Sequence, residues 1–211
     1  MRCVTVLSAV GSFAVVAGLL TLTPGLDTAL VLRAALREGR ARAFATALGV
    51  GTGALLWGVA AAVGVSALLT ASHLAYLVLR YAGAAYLGWL GGKMLWSSFR
   101  TPAADTVPPP ATGGAGRAYA RGVLTNLLNP KVGVFYIALL PQFLPPHTAH
   151  LPMGLLLAAV HDAEGMVWFT VLICVARLAR RVLDRVAVRR WIDRVTGTVL
   201  VAFGVRLAVE R

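Results

Sequence analysis

The sequence predicts an all-α polytopic membrane protein of about six transmembrane helices, set out as two inverted three-helix repeats whose first helices are broken. Three observations predict it. Of the 211 residues, 58% are apolar and 13% are charged, about half the charged share usual in a soluble domain. The apolar residues come in long runs, with basic residues gathered between alternate runs, as lipid and a fixed orientation require. Proline together with polar residues interrupts the first run and the fourth.

The first run spans residues 3–32. Its apolar stretch from Cys3 to Leu22 is longer than the ~7–15-residue core of a cleaved leader and leads straight into Thr23-Pro24-Gly25-Leu26-Asp27, so it reads as a retained, interrupted helix. Ser12-Phe13-Ala14 leaves a cleaved leader as the alternative. Runs two and three, 43–70 and 73–98, are separated only by Ala71-Ser72 and form a tight helical hairpin. Residues 101–118, TPAADTVPPPATGGAGRA, hold three consecutive prolines and paired glycines among small residues. Such a segment cannot bury a core and reads as a flexible cytoplasmic linker between a first repeat, 1–100, and a second, 119–211. Run four, 119–144, is interrupted and ends at Pro145-Pro146. Pro152 opens run five, 152–176, and run six covers 191–209. Between the last two, seven arginines in 177–194 alternate with Leu178, Val182, Val186 and Ile192. This is either an interfacial helix on anionic membrane lipid or a loop that fixes topology.

Orientation follows from the basic residues. Loop one has Arg33, Arg37, Arg40 and Arg42; the linker region has Lys93, Arg100, Arg117 and Arg121; the fifth loop has the seven arginines. The positive-inside rule puts these loops in the cytoplasm of a cell-membrane protein with both termini outside. A five-span form with a non-spanning first segment is the alternative. The net charge of +12 therefore reports topology. No basic face interleaved with aromatic residues accompanies it, so nucleic acid is not an expected partner. Cys3 and Cys174 form no C-x-x-C pair, which leaves redox and zinc motifs unsupported.

The two interruptions occupy equivalent places. Thr23-Pro24-Gly25-Leu26-Asp27 breaks the first helix of one half, and Asn126-Leu127-Leu128-Asn129-Pro130-Lys131 breaks the first helix of the other. Proline removes a backbone hydrogen bond, and in lipid the freed groups survive only where protein or a water-filled cavity satisfies them. Three helices per half is odd, so a shared fold requires the second half to be inverted. Half-helix N-termini after Pro24 and Pro130 carry partial positive charge suited to a carboxylate.

The run TPGLDTALVL at 23–32 followed by REGRARAFATALGVGTG, together with LRYAGAAYLGWLGGKML at 79–95 and GVLTNLLNPKVGVFYIALLPQF at 122–143, resembles the LysE/RhtB family of amino-acid exporters. The resemblance covers nearly the whole chain apart from the linker and the last helices, and the NPK block with its downstream LPQF is its most specific part. It implies efflux of amino acids or related compounds in exchange for protons. One departure stands out: the family's first break usually reads P-G-P, and here it is Pro24-Gly25-Leu26.

Pro24, Gly25 and Pro130 are expected to frame a central substrate or coupling-ion site. Asp27, an ionisable residue in a spanning segment, either receives a substrate ammonium or coupling proton or merely caps a half-helix. Lys131 either binds a substrate carboxylate, neutralises Asp27, or snorkels to the interface. Asn126 and Asn129 satisfy the broken backbone, and one of them is available to ligand. On helix five, His161, Asp162 and Glu164 form a proton relay, part of a metal site, or a polar vestibule, with Trp168 as a wall or a packing anchor. Arg80 either snorkels or pairs with an acid, and Tyr86 either donates into the cavity or packs.

A secondary transporter for an amino acid or similar small zwitterion is the leading expectation. A divalent-cation exporter of the same fold, using Asp27 and the helix-five cluster, is the second. An intramembrane enzyme is the third, discouraged by the lack of G-x-S-x-G and H-E-x-x-H motifs. No G-x-x-x-x-G-K loop calls for a nucleotide, no cofactor is expected, and a homodimer is left open.

Overall fold

The computed structural model describes residues 6–71, 73–99, 113–145, 148–183 and 185–209. Among these residues there are helices and no strand. The first broken segment is α1 (Val6–Leu22) and α2 (Leu26–Arg37), and α3 (Arg40–Ala71) and α4 (His73–Ser97) follow. The second broken segment is α5 (Ala115–Leu127) and α6 (Pro130–Val134), the latter prolonged by a π turn (Phe135–Leu139) and a 3-10 turn (Leu140–Phe143). Then come α7 (His150–Cys174), α8 (Ala176–Leu183) and α9 (Val186–Val209). Most of the expected linker lies outside the described residues, and α5 already begins at Ala115, inside the 101–118 segment.

Both predicted breaks are real and nearly equal. The chain bends by 55° between α1 and α2 and by 54° between α5 and the segment Pro130–Phe143. Helices α3 and α7 are each long and apolar enough to cross a membrane, and each bent pair qualifies as one further span. With 25 and 24 residues, α4 and α9 rise about 36 Å at 1.5 Å per residue, more than the hydrocarbon core needs. Large apolar side chains stand on the outside of the bundle: Leu7 is 82% exposed and Val15 is 66% exposed on the same helix that buries Phe13 completely. Such an outward apolar face suits a lipid surround. In the arginine-rich stretch 177–194, α8 ends at Leu183 and α9 begins at Val186.

Lipid tails are as apolar as leucine, so burial alone does not drive these helices together; close approach through small residues does. A Cβ on Gly49 would collide with the Tyr119 carbonyl of α5, and one on Gly122 with the Thr46 carbonyl of α3. Gly58 meets Ala158, and Gly154 meets Ala62, across α3 and α7. Gly91 and Gly197 abut across α4 and α9. Each half thus grips the other through backbone-to-backbone contacts. Inside, Phe13 of α1 packs against Phe135 and Phe143, at ring separations of 5.7 and 5.4 Å. The winding of that second segment loosens before Pro141, which has no N–H for the preceding turn and crowds its carbonyl.

Helices α2 and α5 lie antiparallel and are tied at both ends. At the end facing the basic loops, Glu38, the residue after α2, accepts a 2.8 Å bond from Arg121 Nη2 of α5, and the two side chains are only 4% and 15% exposed. Gly39 then turns the chain into α3 with φ +92°, a left-handed conformation that favours glycine. The other tie is at the breaks.

Candidate functional site

The two breaks meet in the middle of the bundle and exchange partners. Asp27 stands in the first turn of α2, where Gly25 occupies the N-cap without a side-chain bond. Its carboxylate is therefore not a cap. Oδ2 instead accepts from Nδ2 of Asn126, in the last turn of α5, at 3.0 Å and from Nδ2 of Asn129, just before α6, at 3.1 Å. Lys131 stands in the first turn of α6 and reaches the opposite way. Its Nζ donates to the carbonyls of Leu20 (3.2 Å) and Thr23 (3.1 Å), in the last turn of α1 and just beyond it. It points into the break and does not snorkel. Each second half-helix thus supplies the side chain that closes the other break.

Further local bonds support the two breaks. Asn129 caps α6 by accepting from the Lys131 backbone N–H at 3.1 Å, with Pro130 in the first turn, where its missing N–H costs nothing. Thr23 Oγ1 donates to the Leu19 carbonyl at 2.8 Å or shares a proton with Thr196 Oγ1 of α9 at 2.6 Å.

A cleft opens beside this exchange, with about 550 Å³ of empty space when the open solvent at its mouth is counted. Asp27, Asn126, Asn129 and Lys131 supply its polar floor together with Gly25, and His161 and Asp162 of α7 form the facing wall. Gly51 of α3 permits the approach of Asp162, because a Cβ there would strike the carboxylate. The three residues expected as a cluster on helix five meet different neighbours, although His161 and Asp162 line the same cleft. His161 Nδ1 pairs with the Tyr136 hydroxyl at 2.9 Å, and its ring lies 5.3 Å from that of Phe135. Asp162 addresses α3. Glu164 turns toward Gly18 of α1, outside the cleft lining, and its Oε2 has no hydrogen-bond partner among the described residues. Among those residues no group of three or more His, Cys, Asp or Glu is placed to hold a metal ion.

Tyr86 does not reach the cleft; it is partly buried on α4, its ring 5.3 Å from that of Trp89. Trp168 packs in a separate cluster with α2 and α3 residues, and its neighbour Phe169 walls the cleft in its place. Pro24 and Pro130 shape the breaks without lining the space. The Arg80 side chain lies outside the described residues. Sequence reading missed Tyr136, Thr21 and Gly51. Tyr136 sits in the FYIALLPQF stretch and Thr21 two residues before the Thr-Pro-Gly break, so proximity to the breaks was the available signal for both.

Residues 19–211 match the family model described as LysE type translocator. The chain is 28% identical over 193 residues to the threonine efflux protein of Salmonella typhi, an alignment covering 90% of this chain and 92% of that one. It is 36% identical over 152 residues to the homoserine/homoserine lactone efflux protein of Salmonella typhimurium, covering 72% of each. An uncharacterized membrane protein of Bacillus subtilis is 28% identical over 201 residues, 92% of this chain and 96% of its own length. No solved structure matches.

Proposed function

The chain belongs to the LysE type translocator family, and from that premise we propose that it is a secondary active transporter exporting amino acids or related small zwitterions across the cytoplasmic membrane, coupled to protons. The observation that carries the proposal is the exchange of partners between the two breaks beside a polar cleft. A buried carboxylate whose second oxygen, Oδ1, has no partner among the described residues is a receptor for a cation delivered from outside the protein. Discontinuous helices meeting in the middle of the bundle are the recurring plan of inverted-repeat transporters. The near-equal bends and the reciprocal Gly58–Ala158 and Gly154–Ala62 contacts support two related halves, 1–100 and 119–211, joined by the linker. The relatives' cargoes, threonine, homoserine and homoserine lactone, support a small polar substrate. The cleft is exposed to alternate sides as one half rocks against the other, and cytoplasmic opening requires Glu38 and Arg121 to part.

The test is counterflow in proteoliposomes. Vesicles preloaded with one unlabelled amino acid receive a trace of the same labelled compound outside, with and without a proton gradient. Label accumulates for a narrow set of amino acids in the wild type, and Asp27→Asn abolishes gradient-driven accumulation. Folded protein that exchanges no amino acid would sink the proposal.

A further inference from the structure

Donors and acceptors are unequally committed in the cleft. The nitrogen-bearing side chains on its wall are each engaged by the protein: Asn126 and Asn129 each give one N–H of Nδ2 to Asp27, Lys131 Nζ is held by two main-chain carbonyls, and His161 Nδ1 is paired with Tyr136. The positive helix ends are answered too. Asn129 caps α6, and the first turn of α2 carries the Asp27 carboxylate, which complements that helix end. The oxygens tell the opposite story. Thr21 Oγ1, Asp27 Oδ1 and Asn126 Oδ1 are buried, belong to residues lining the cleft, and have no hydrogen-bond partner among the described residues. Asn126 as a whole is 2% exposed. Buried polar atoms are ordinarily paired, and leaving three acceptors unpaired around one cavity is costly unless a ligand brings the missing protons.

We propose that the cleft selects its cargo by a primary ammonium group and not by a carboxylate, with Thr21 Oγ1, Asp27 Oδ1 and Asn126 Oδ1 as the acceptors of its three N–H bonds. The inference rests on the transport reading above and names the chemistry of the same site. The ammonium neutralises Asp27, the one charge on the floor with an uncommitted atom. A carboxylate, if the cargo has one, stays toward the mouth of the cleft and its water. Amino acids, their amides and their esters are then equivalent at the recognition step. Compounds that keep the carboxylate and lose N–H bonds are rejected, because the three oxygens stay unpaired beneath them.

The experiment is competition against labelled L-threonine counterflow by the full chain in proteoliposomes, or against labelled L-homoserine if threonine does not exchange. Four competitors are compared with the parent amino acid: its amide, its methyl ester, its N-acetyl derivative and its N,N-dimethyl derivative. The amide and ester are expected to compete within about fivefold of the parent, whereas N-acetyl and N,N-dimethyl compounds need at least about a hundredfold more. Thr21→Val is expected to raise the half-inhibiting concentration of the amide about tenfold, for one lost bond to a charged group, and Thr21→Ser to restore it. Strong competition by the N-acetyl compound with none by the amide overturns the ammonium rule and leaves transport standing. A Thr21→Val protein that exchanges like wild type removes Thr21 from the site and overturns the three-acceptor assignment. Failure of every amino acid to exchange overturns the transport reading and this inference with it.

Discussion

Replacing Arg121 by leucine removes one member of an ion pair that bridges the two halves of the protein. Glu38 is 4% exposed and Arg121 is 15% exposed, with 2.8 Å between Oε1 and Nη2. Two further guanidinium nitrogens of Arg121, Nε and Nη1, are already buried without partners among the described residues. Breaking a buried pair on one side leaves an uncompensated charge and costs about 3–5 kcal/mol, whereas replacing both members by apolar residues is often neutral. Arg121→Leu is therefore expected to destabilise the protein by about 3 kcal/mol or more, and Glu38→Leu/Arg121→Leu by less than about 1 kcal/mol. Unfolding free energies of the wild type, Glu38→Leu, Arg121→Leu and the double variant, measured by SDS titration of mixed micelles, complete the double-mutant cycle. The same pair closes the end of α2 against α5 on the side of the basic loops. A loss of about 3 kcal/mol from the closed arrangement shifts its balance with the open one by roughly 150-fold. Thr28→Cys, in a background with Cys3 and Cys174 replaced by alanine, would then react with a cytoplasm-side thiol reagent far faster in the Arg121→Leu protein than in its parent. Equal stability of the single and double variants, with unchanged labelling, would refute the reasoning.

Lys131→Met deprives the Leu20 and Thr23 carbonyls of their charged donor. Leu20 keeps the Thr23 N–H at 3.2 Å, whereas the Thr23 carbonyl is left unsatisfied at a cost of about 1–3 kcal/mol; the unfolding midpoint should fall, and Lys131→Arg should recover part of it. Tyr136→Phe leaves the buried His161 Nδ1 without its 2.9 Å partner and is expected to cost about 1–3 kcal/mol, read in the same SDS titration, while the neighbouring Phe135 packing survives. Gly122→Leu drives a side chain into the Thr46 carbonyl and should prevent α3 and α5 from closing, giving protein that inserts in the membrane but fails to resist protease; Leu124→Ala, on an exposed position of the same helix, should leave resistance unchanged.

Much of this arrangement is legible in the sequence. Spans are long apolar runs because lipid accepts little else, and the observed helices follow those runs closely. The breaks at Pro24 and Pro130 are legible because proline's missing N–H is a local property. The basic loops are legible because charge crosses a bilayer only at high cost. Candidate residues beside those breaks, Asp27, Asn126, Asn129 and Lys131, do line one cleft.

What the sequence leaves open is which of these residues touch, and the physical reason is rotational. The 3.6-residue period fixes which residues share a helix face, but in an all-apolar helix nothing local says which face turns inward. That choice falls to the glycine contacts of Gly49, Gly58 and Gly122, which set how closely and at what rotation the helices meet. Only then does Asp27 find Asn126, 99 residues away, and Lys131 find Leu20, 111 residues away. The same rotations send His161 to Tyr136, Asp162 to Gly51 and Glu164 to Gly18, so one polar cluster in the sequence becomes three separate contacts in the fold. Local chemistry, carried by each residue wherever it stands, determined the apolar helices and the breaks; the pairing of distant polar atoms was decided by tertiary packing, because a hydrogen bond needs an approach of about 3 Å that no single helix can arrange alone.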